Sequence, residues 1–597
     1  MSSSDTVPVF IKMEKTRELR HSVDLCVIGG GMAGICAAIS AARNGVKVLL
    51  MHDRPVPGGN ASSECRMHIS GADRHNSIKN MRETGILEEL RMKNLFFNPQ
   101  KSYSVWDTIL YETLKNEKNI TLLFNCSCLD AEVEGNYIFS VKGWQTTTYT
   151  YHTVHAKIFA DCSGDGILAP LVGAHFRMGR EGRDEYGESA APVKPDNFTM
   201  GMTCLFQARE YNTPHPFLPP SWAYRFNSCE ELPYGAEGHQ WWQMGYWWIE
   251  LGGEYHTIYD TEMLRDELLK IVYGVWDHLK NRCPAVREKV KNWALDWVQF
   301  LPAKRESRRY IGEYVLTQND IEKEGKFEDI IAYGGWSMDD HHPAGFNAVK
   351  IGAPATIFHP APSPYGIPYR ALYSKNISNL MFAGRNASCT HMAMSSTRVM
   401  GTCCSMGQAL GTAAAMAINK GIYPREIIHH IDELQQKLLY DDAYIPWVRQ
   451  RFNVLTMRSK LEASRGNPEP VRDGINRPVG SDNHCWEAYP GDHISYIFPE
   501  KTLVKKATLI VDSGLDKLVT MSHHQRDDQL VSLPDVMPRA FRIEGMIEGR
   551  WEIISKIKDN YMRLVRVEIG KEIEGIRFVL EKTWGGSKSR IYGFYIE

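Results

Sequence analysis

No stretch of this sequence approaches the ~18 consecutive apolar residues that span a bilayer, so a membrane protein is not expected. Its opening, Met1-Ser2-Ser3-Ser4-Asp5, has neither the basic nor the apolar segment of a secretory signal. Net charge is nearly absent: 69 Lys and Arg stand against 71 Asp and Glu, giving −2. That leaves no electrostatic footprint for nucleic acid. There is no C-x-x-C pair, hence no indication of a dithiol redox site or a zinc ribbon, and no metal is expected. The thirteen cysteines are odd in number and scattered, the pattern of thiols kept reduced in a cytoplasm. Internal repeats and low-complexity tracts are missing too. What remains is an ordinary globular composition, 43% hydrophobic and 23% charged, over 597 residues. Such a length exceeds one core, and about two to four domains are expected.

Against these absences stands one dense signal, VDLCVIGGGMAGICAAISAARNGVKVLLMHD, at Val23–Asp53. An apolar strand runs into Gly29-x-Gly31-x-x-Gly34, an alanine-rich helix follows, and Val46 to Met51 forms a second apolar strand. This is the βαβ order that sets a dinucleotide pyrophosphate on a helix N-terminus. Gly29 permits the tight turn, Gly31 lets the backbone approach the phosphates, and Gly34 allows helix and strand to pack closely. Met32 and Ala33 open the helix at that point. The ribose-binding acid belongs about 20 residues beyond the glycines. His52 occupies that place with Asp53 beside it, so either residue meets the ribose, unless both belong to an exposed turn.

Further segments select the flavin dinucleotide. Pro57 to Glu64, with Gly59, Asn60, Ser62 and Ser63, resembles the stretch that in two-dinucleotide-domain flavoproteins passes under the FAD pyrophosphate, and Arg66 follows it. Ile158–Gly166, turning at Cys162-Ser163-Gly164, resembles their second FAD strand. Asn379–Arg385, with Gly384 and Arg385, resembles the last, and leads through Arg398, Gly401 and Thr402 into a helix. FAD is the expected cofactor. No second complete glycine fingerprint supports direct NAD(P)H use.

The phrases GGNASSE, WWIELGG, GVWDHLKN, RESRRYIGEY, YGGWSMDD and FAGRNASCTHMAMSSTRVMGT together resemble the bacterial FAD-dependent oxidoreductases of the FAD_oxidored family, some of which carry a xanthan-lyase label. The resemblance covers about residues 20–425. It implies an α/β fold: a glutathione-reductase-like FAD-binding Rossmann domain with an inserted α+β substrate domain. The lyase label does not follow from the residues. The expected organisation is an arm over 1–20, the FAD domain over 21–166 and 351–425, a substrate insert over 167–350, and a helical linker over 426–465. Short alternating runs after Arg465 predict a C-terminal β-sandwich over 466–597, and its phrases around Asn476, Trp486 and Trp584 resemble a discoidin or galactose-binding-like domain. Trp241, Trp242, Tyr246, Trp247 and Trp248 are spaced as a strand, either a sugar platform or a buried face. Leu264, Leu268, Val272 and Trp276 mark a helix face.

The protein around a flavin supplies orientation, a proton acceptor and nearby charge. His391, soon after the last FAD strand, suits proton abstraction from a carbinol, or it packs beneath the flavin. Arg385 and Arg398 flank the same loop, as substrate anchors or structural ion pairs. His68 and Cys65 follow the flavin segment and line its wall or attach to it. Asp339-Asp340-His341-His342 reads as a polar substrate loop beside Trp336 rather than a metal site. In Arg305-Glu306-Ser307-Arg308-Arg309, two arginines either clamp a carboxylate or belong to an ion-paired face. His391, Arg398, Arg305 and His68 are the catalytic candidates. The expected substrate is a polar small molecule, a sugar or sugar acid, whose carbinol hydride passes to flavin. The alternatives are reduction of an activated C=C in a carboxylate by arginine-assisted chemistry, and redox-neutral oxidation and elimination on a glycoside. Homo-oligomerisation stays open.

Overall fold

The computed structural model describes residues 16–522 and 526–597. Most of the arm expected over 1–20 lies outside those residues. Its last part, from Arg17, is no arm, for it begins a strand, β1 (Arg17–Ile28). After β1 come helix α1 (Met32–Arg43) and β2 (Val48–Met51). Further along are β3 (Ile120–Leu123), β4 (Cys126–Glu134), β5 (Tyr137–Gln145), β6 (Thr150–Asp161) and, much later, β7 (Leu380–Phe382). These seven strands form one sheet in the order β3-β2-β1-β6-β5-β4, with β7 also on β6. Strands β3, β2, β1, β6 and β7 are parallel neighbours. Leu25 and Val27 join the apolar cluster on one face, Cys26 and Ile28 that on the other. Burial on both faces explains why the strand reads as an unbroken apolar run.

Helix α1 packs against α2 (Met400–Lys420) through small residues. A Cβ on Gly407 would lie 2.1 Å from the Ala33 carbonyl oxygen, and one on Gly411 would lie 2.2 Å from that of Ala37. Ser40 and Thr412 hydroxyls meet at 2.7 Å. This close approach runs the two helices in parallel, with the N-terminus of α2 nearly two turns, about 9 Å, beyond that of α1. Gly411→Val is therefore expected to cost about 1–3 kcal/mol or more and to weaken cofactor retention, because it pushes those N-termini apart. A urea midpoint equal to wild type would refute this packing argument.

The chain between β6 and β7 builds its own core around Phe206, Tyr246, Trp248 and Trp276. The helix there runs Thr261–Asp277, ending in a π-turn at His278–Arg282. The tryptophan-rich run is not a strand as its spacing suggested. It forms turns, with strand only at Glu250–Leu251.

The tail forms a second, antiparallel seven-stranded sheet. The alternating runs Ile494–Phe498 and Ala507–Val511, and Met562–Val567 and Gly575–Leu580, read as separate short strands, belong to two single long strands, His493–Val511 and Leu564–Thr583, paired along their length with register shifts at Ile497/Thr502 and Val504/Lys506. Met92 and Leu95 of the helix Ile86–Phe97 enter its core. Buried arginines also fasten it. Arg82 donates to the carbonyls of Ser513 (3.1 Å), Gly514 (3.0 Å) and Lys517. Arg563 pairs with Asp442 at 2.7 Å, and the Arg477 guanidinium sits 3.9 Å above the Tyr444 ring. No described helix is long and apolar enough to cross a membrane.

Candidate functional site

A cavity of about 1360 Å³ opens along the C-terminal ends of β1 and β6. That exceeds the ~300–1,000 Å³ of an ordinary ligand pocket, leaving room for a dinucleotide and a substrate together. Gly29, Gly31, Met32 and Ala33 line it at the start of α1, and Val399, Met400 and Cys403 at the start of α2. Neither helix has a side-chain cap or an acidic residue in its first turn. Two uncapped N-termini present backbone donors and positive dipole ends, the setting that favours an anion.

The three glycines behave differently. Gly29 has φ +102°, and a Cβ there would lie 2.5 Å from the Cys162 backbone. A Cβ on Gly34 would sit 1.9 Å from the Gly29 carbonyl oxygen, so Gly34 serves helix–strand packing and does not reach the cavity. On Gly31 a Cβ would meet no protein atom within 4 Å. Its open side is the cavity itself, a cradle that fits a pyrophosphate.

His52 accepts from the Gly30 amide at Nδ1 (3.0 Å), which leaves Nε2 to donate to the Val56 carbonyl (3.1 Å). Burial pushes this imidazole down to about 4 despite Asp53 beside it. Both nitrogens are used within the protein, and the exposed Asp53, 3.3 Å from His52 Nδ1, lines the cavity beside it.

Gly59, Asn60, Arg66, Ser163, Gly164, Gly384 and Arg385 also line the cavity. Besides Gly34, four expected cofactor contacts do not. Ser62 turns its hydroxyl to the Gly59 carbonyl (2.7 Å), and the Ser63 amide donates to Asp107 (3.0 Å). Gly401 donates its amide to the Ser70 carbonyl (2.8 Å). Thr402 is fully buried behind the wall. Cys65 likewise turns its thiol towards the Leu301 carbonyl, and burial raises it to about 11.

One residue near the expected motifs escaped the sequence reading. Asp165 accepts from Lys304 and Arg385, each at 2.8 Å, and from Ser307. Burial opposes its charge, but Arg385 and Lys304 outweigh it and hold the carboxyl well below the ordinary range. Among the described residues, the Nε atoms of Arg385 and Arg398 and one oxygen of Glu64, 3.7 Å from Arg54, are buried without a hydrogen-bond partner. All three residues line the cavity. Unmet polar groups beside an open cradle fit a polar, phosphate-bearing cofactor.

At the other end, alternation along the strand Met338–His341 decides which residues face the cavity. Asp339 and His341 line it; Asp340 points the other way. His341 bridges Glu250 (2.6 Å) and Asp339 (3.2 Å). Glu250 in turn pairs with Arg305 and Asp339 with Arg398, both at 3.2 Å. Trp241, Trp247, Trp336 and Phe358 supply aromatic wall. Tyr365 and Tyr369, which precede the last FAD strand, are buried, bonding Ser396 and the Pro424 carbonyl.

His391 is not on this wall. Its Nδ1 meets Glu306 at 2.9 Å and its Nε2 meets Asp340 at 3.0 Å, in a buried network with Arg309 and Glu181. Burial works against its charge, but Glu306 and Asp340 prevail and raise it to about 10. A ring that is protonated and held at both nitrogens cannot accept a substrate proton, which corrects the catalytic reading of His391. His68 does face the cavity. Its ring packs 4.9 Å from His75, which meets Trp336 edge-on at 5.0 Å, and no described residue hydrogen-bonds its nitrogens. Burial and then His75 push His68 down to about 3, so it is neutral.

Leu518, Thr520, Ser522 and Arg526 of the tail complete the cavity mouth, and nothing in the sequence signalled it.

A family model described as FAD dependent oxidoreductase matches residues 24–438. No curated protein matches the sequence significantly. Among solved structures, a geranylgeranyl bacteriochlorophyll reductase-like protein from Thermoplasma acidophilum is similar at 12% identity, over 71% of this chain and 86% of that one, with a TM-score of 0.31. p-Nitrophenol 4-monooxygenase PnpA from Pseudomonas putida DLL-E4 is similar at 11% identity, over 71% and 87%, with a TM-score of 0.30. A family 32 carbohydrate-binding module from Streptococcus pneumoniae EndoD is similar at 10% identity over 24% of this chain and 95% of its own, with a TM-score of 0.18.

Proposed function

The chain belongs to the FAD dependent oxidoreductase family, and from that premise we propose that it oxidises a polar, carbohydrate-like alcohol in the cavity. The observation that carries this reading is His68, an imidazole on the cavity wall whose ring nitrogens no described residue occupies. FAD, when bound, supplies the hydride acceptor. Gly29, Gly31 and the N-termini of α1 and α2 hold its anionic parts, and Asp53 its ribose. His68 accepts the hydroxyl proton as the carbinol is oxidised. Arg305 and Arg398 orient Glu250 and Asp339, which together with His341 offer donors and acceptors to a polyol. Trp336 and Trp247 give faces against which a sugar ring stacks. The long parallel sheet with β7 returning beside β6 supports a glutathione-reductase-like arrangement, and the antiparallel tail supports a galactose-binding-like sandwich.

Reduction of an enoate is disfavoured by the ion pairs. Arg305 and Arg398 are already matched by Glu250 and Asp339, and Arg308 lies against Phe176 (5.6 Å) off the cavity. None of the three arginines first considered for that role is free in the cavity, and Arg66 and Arg74, which line it without a carboxylate partner, donate to Gln207 and to the carbonyls of Gly335 and Ala361.

The test is anaerobic addition of sugars and sugar acids to the purified protein, followed by the flavin absorbance near ~450 nm. Bleaching by one sugar is expected. His68→Asn should slow that bleaching by about 10²–10⁴-fold with FAD content unchanged. Reoxidation of the chemically reduced protein by an enoate, with no sugar active, would overturn the reading.

A further inference from the structure

Away from the cavity, the insert brings Cys229, His239, His278 and Cys283 together, all buried, with one donor atom of each within 4.8 Å of the others. The local structure explains how. Cys229 starts a short 3₁₀ turn, Cys229–Glu231, and His239 ends another, Gly235–His239. His278 and Cys283 bracket the π-turn that closes the helix Thr261–Asp277, where the Cys283 amide bonds the His278 carbonyl at 2.7 Å. That wider turn brings both side chains to one face. An ordinary helix would have carried Cys283 past it.

The spacings are those of ligands around one ion. The Cys229 and Cys283 sulfurs are 3.6 Å apart, Cys229 Sγ is 3.5 Å from His278 Nε2, and His239 Nδ1 is 3.3 Å from Cys283 Sγ. Zn–S bonds of ~2.3 Å and Zn–N bonds of ~2.0 Å give a tetrahedron with edges of about 3.8 Å between sulfurs and about 3.5 Å between sulfur and nitrogen. His278 also has the outer support that metal-binding imidazoles have: its Nδ1 meets the Phe226 carbonyl at 3.1 Å, which leaves Nε2 with its lone pair towards the sulfurs. Leu232, Leu279 and Val286 pack in the same apolar cluster, an environment costly for four polar groups unless something binds them.

We propose that Cys229, His239, His278 and Cys283 form a structural Cys₂His₂ zinc site. Four protein ligands close the tetrahedron, leaving no position for water or substrate. Binding releases the two thiol protons to solvent. The ion ties the end of the Thr261–Asp277 helix to the segment that continues into Trp241, Met244, Gly245 and Trp247, so it fixes one wall of the cavity. The sequence reading found no metal because the ligands come from separate segments without a C-x-x-C pair.

The test uses the full-length protein expressed with added zinc and purified under reducing conditions. Elemental analysis should find one zinc per chain, and zinc-edge X-ray absorption should show two sulfurs at ~2.3 Å and two nitrogens at ~2.0 Å. Cys283→Ser and His278→Ala should lose zinc while keeping bound flavin, which reports that the rest of the chain is folded. Should these variants not fold, the wild-type absorption spectrum decides alone. Zinc-free wild type after reconstitution, iron in zinc's place, or a Cys229–Cys283 disulfide found by mass spectrometry would overturn the proposal.

Discussion

Replacing Gly31 with Val is expected to give a folded protein that has lost FAD. Gly31 has φ −70° and ψ 177°, extended values that valine adopts readily. A Cβ there meets no protein atom within 4 Å, so the fold has no reason to object. The added atoms enter the space against the start of α1 where the pyrophosphate belongs, and FAD affinity should fall at least about 100-fold, about 3 kcal/mol. Gly29→Val makes the contrast: its φ of +102° and the Cys162 backbone 2.5 Å away predict failure of the fold itself. Reconstitution with FAD, read by absorbance and set against apoprotein unfolding in urea, separates the two cases. A Gly31→Val protein that keeps stoichiometric flavin would place the pyrophosphate elsewhere.

The second large effect belongs to His391, through stability and not chemistry. Its imidazolium lies between Glu306 and Asp340 at 2% exposure. His391→Leu leaves Asp340 without its cation and Glu306 with Arg309 alone, at a cost of about 3–5 kcal/mol. The sign of the pH dependence follows from a folded value of about 10 against about 6.5 in the unfolded chain. The charged ring therefore stabilises fully below about pH 6.5, its contribution shrinks as pH rises, and it is gone above about 10. The gap in urea midpoint between wild type and His391→Leu should narrow across that window. A gap that holds constant from pH 6 to about 10 would mean the ring is neutral in the fold.

The same residue shows where sequence reading runs out. Val23–Asp53 declared its structure because strands buried on both faces must be apolar throughout and because only glycine tolerates the turn. His391 stands at the right distance from the last FAD strand, but nothing local reveals that Glu306 and Asp340 come from distant segments to hold it. The Arg305–Arg309 run behaves similarly. Arg305 reaches the cavity, Glu306 and Arg309 build the buried network, and Ser307 supports Asp165. In the tail, Glu500, Lys501, Lys571 and Glu572 broke the alternation where His493–Val511 and Leu564–Thr583 pass through solvent, so two long strands read as four short ones. The tryptophan run misled for a related reason: near-alternation arose from turns that send Tyr246 and Trp248 inward and Trp241 and Trp247 to the cavity.

The cavity mouth at Leu518, Thr520, Ser522 and Arg526 also sets an order of events at the ribosome. All glycines and arginines of the cofactor cradle lie within residues 24–438, which leave the ribosome before the tail. The rim that encloses them arrives later, and Arg82, fully buried in the finished protein, cannot find the carbonyls of Ser513, Gly514 and Lys517 until then. A nascent chain thus passes through an interval with its cradle residues made and its door not yet hung.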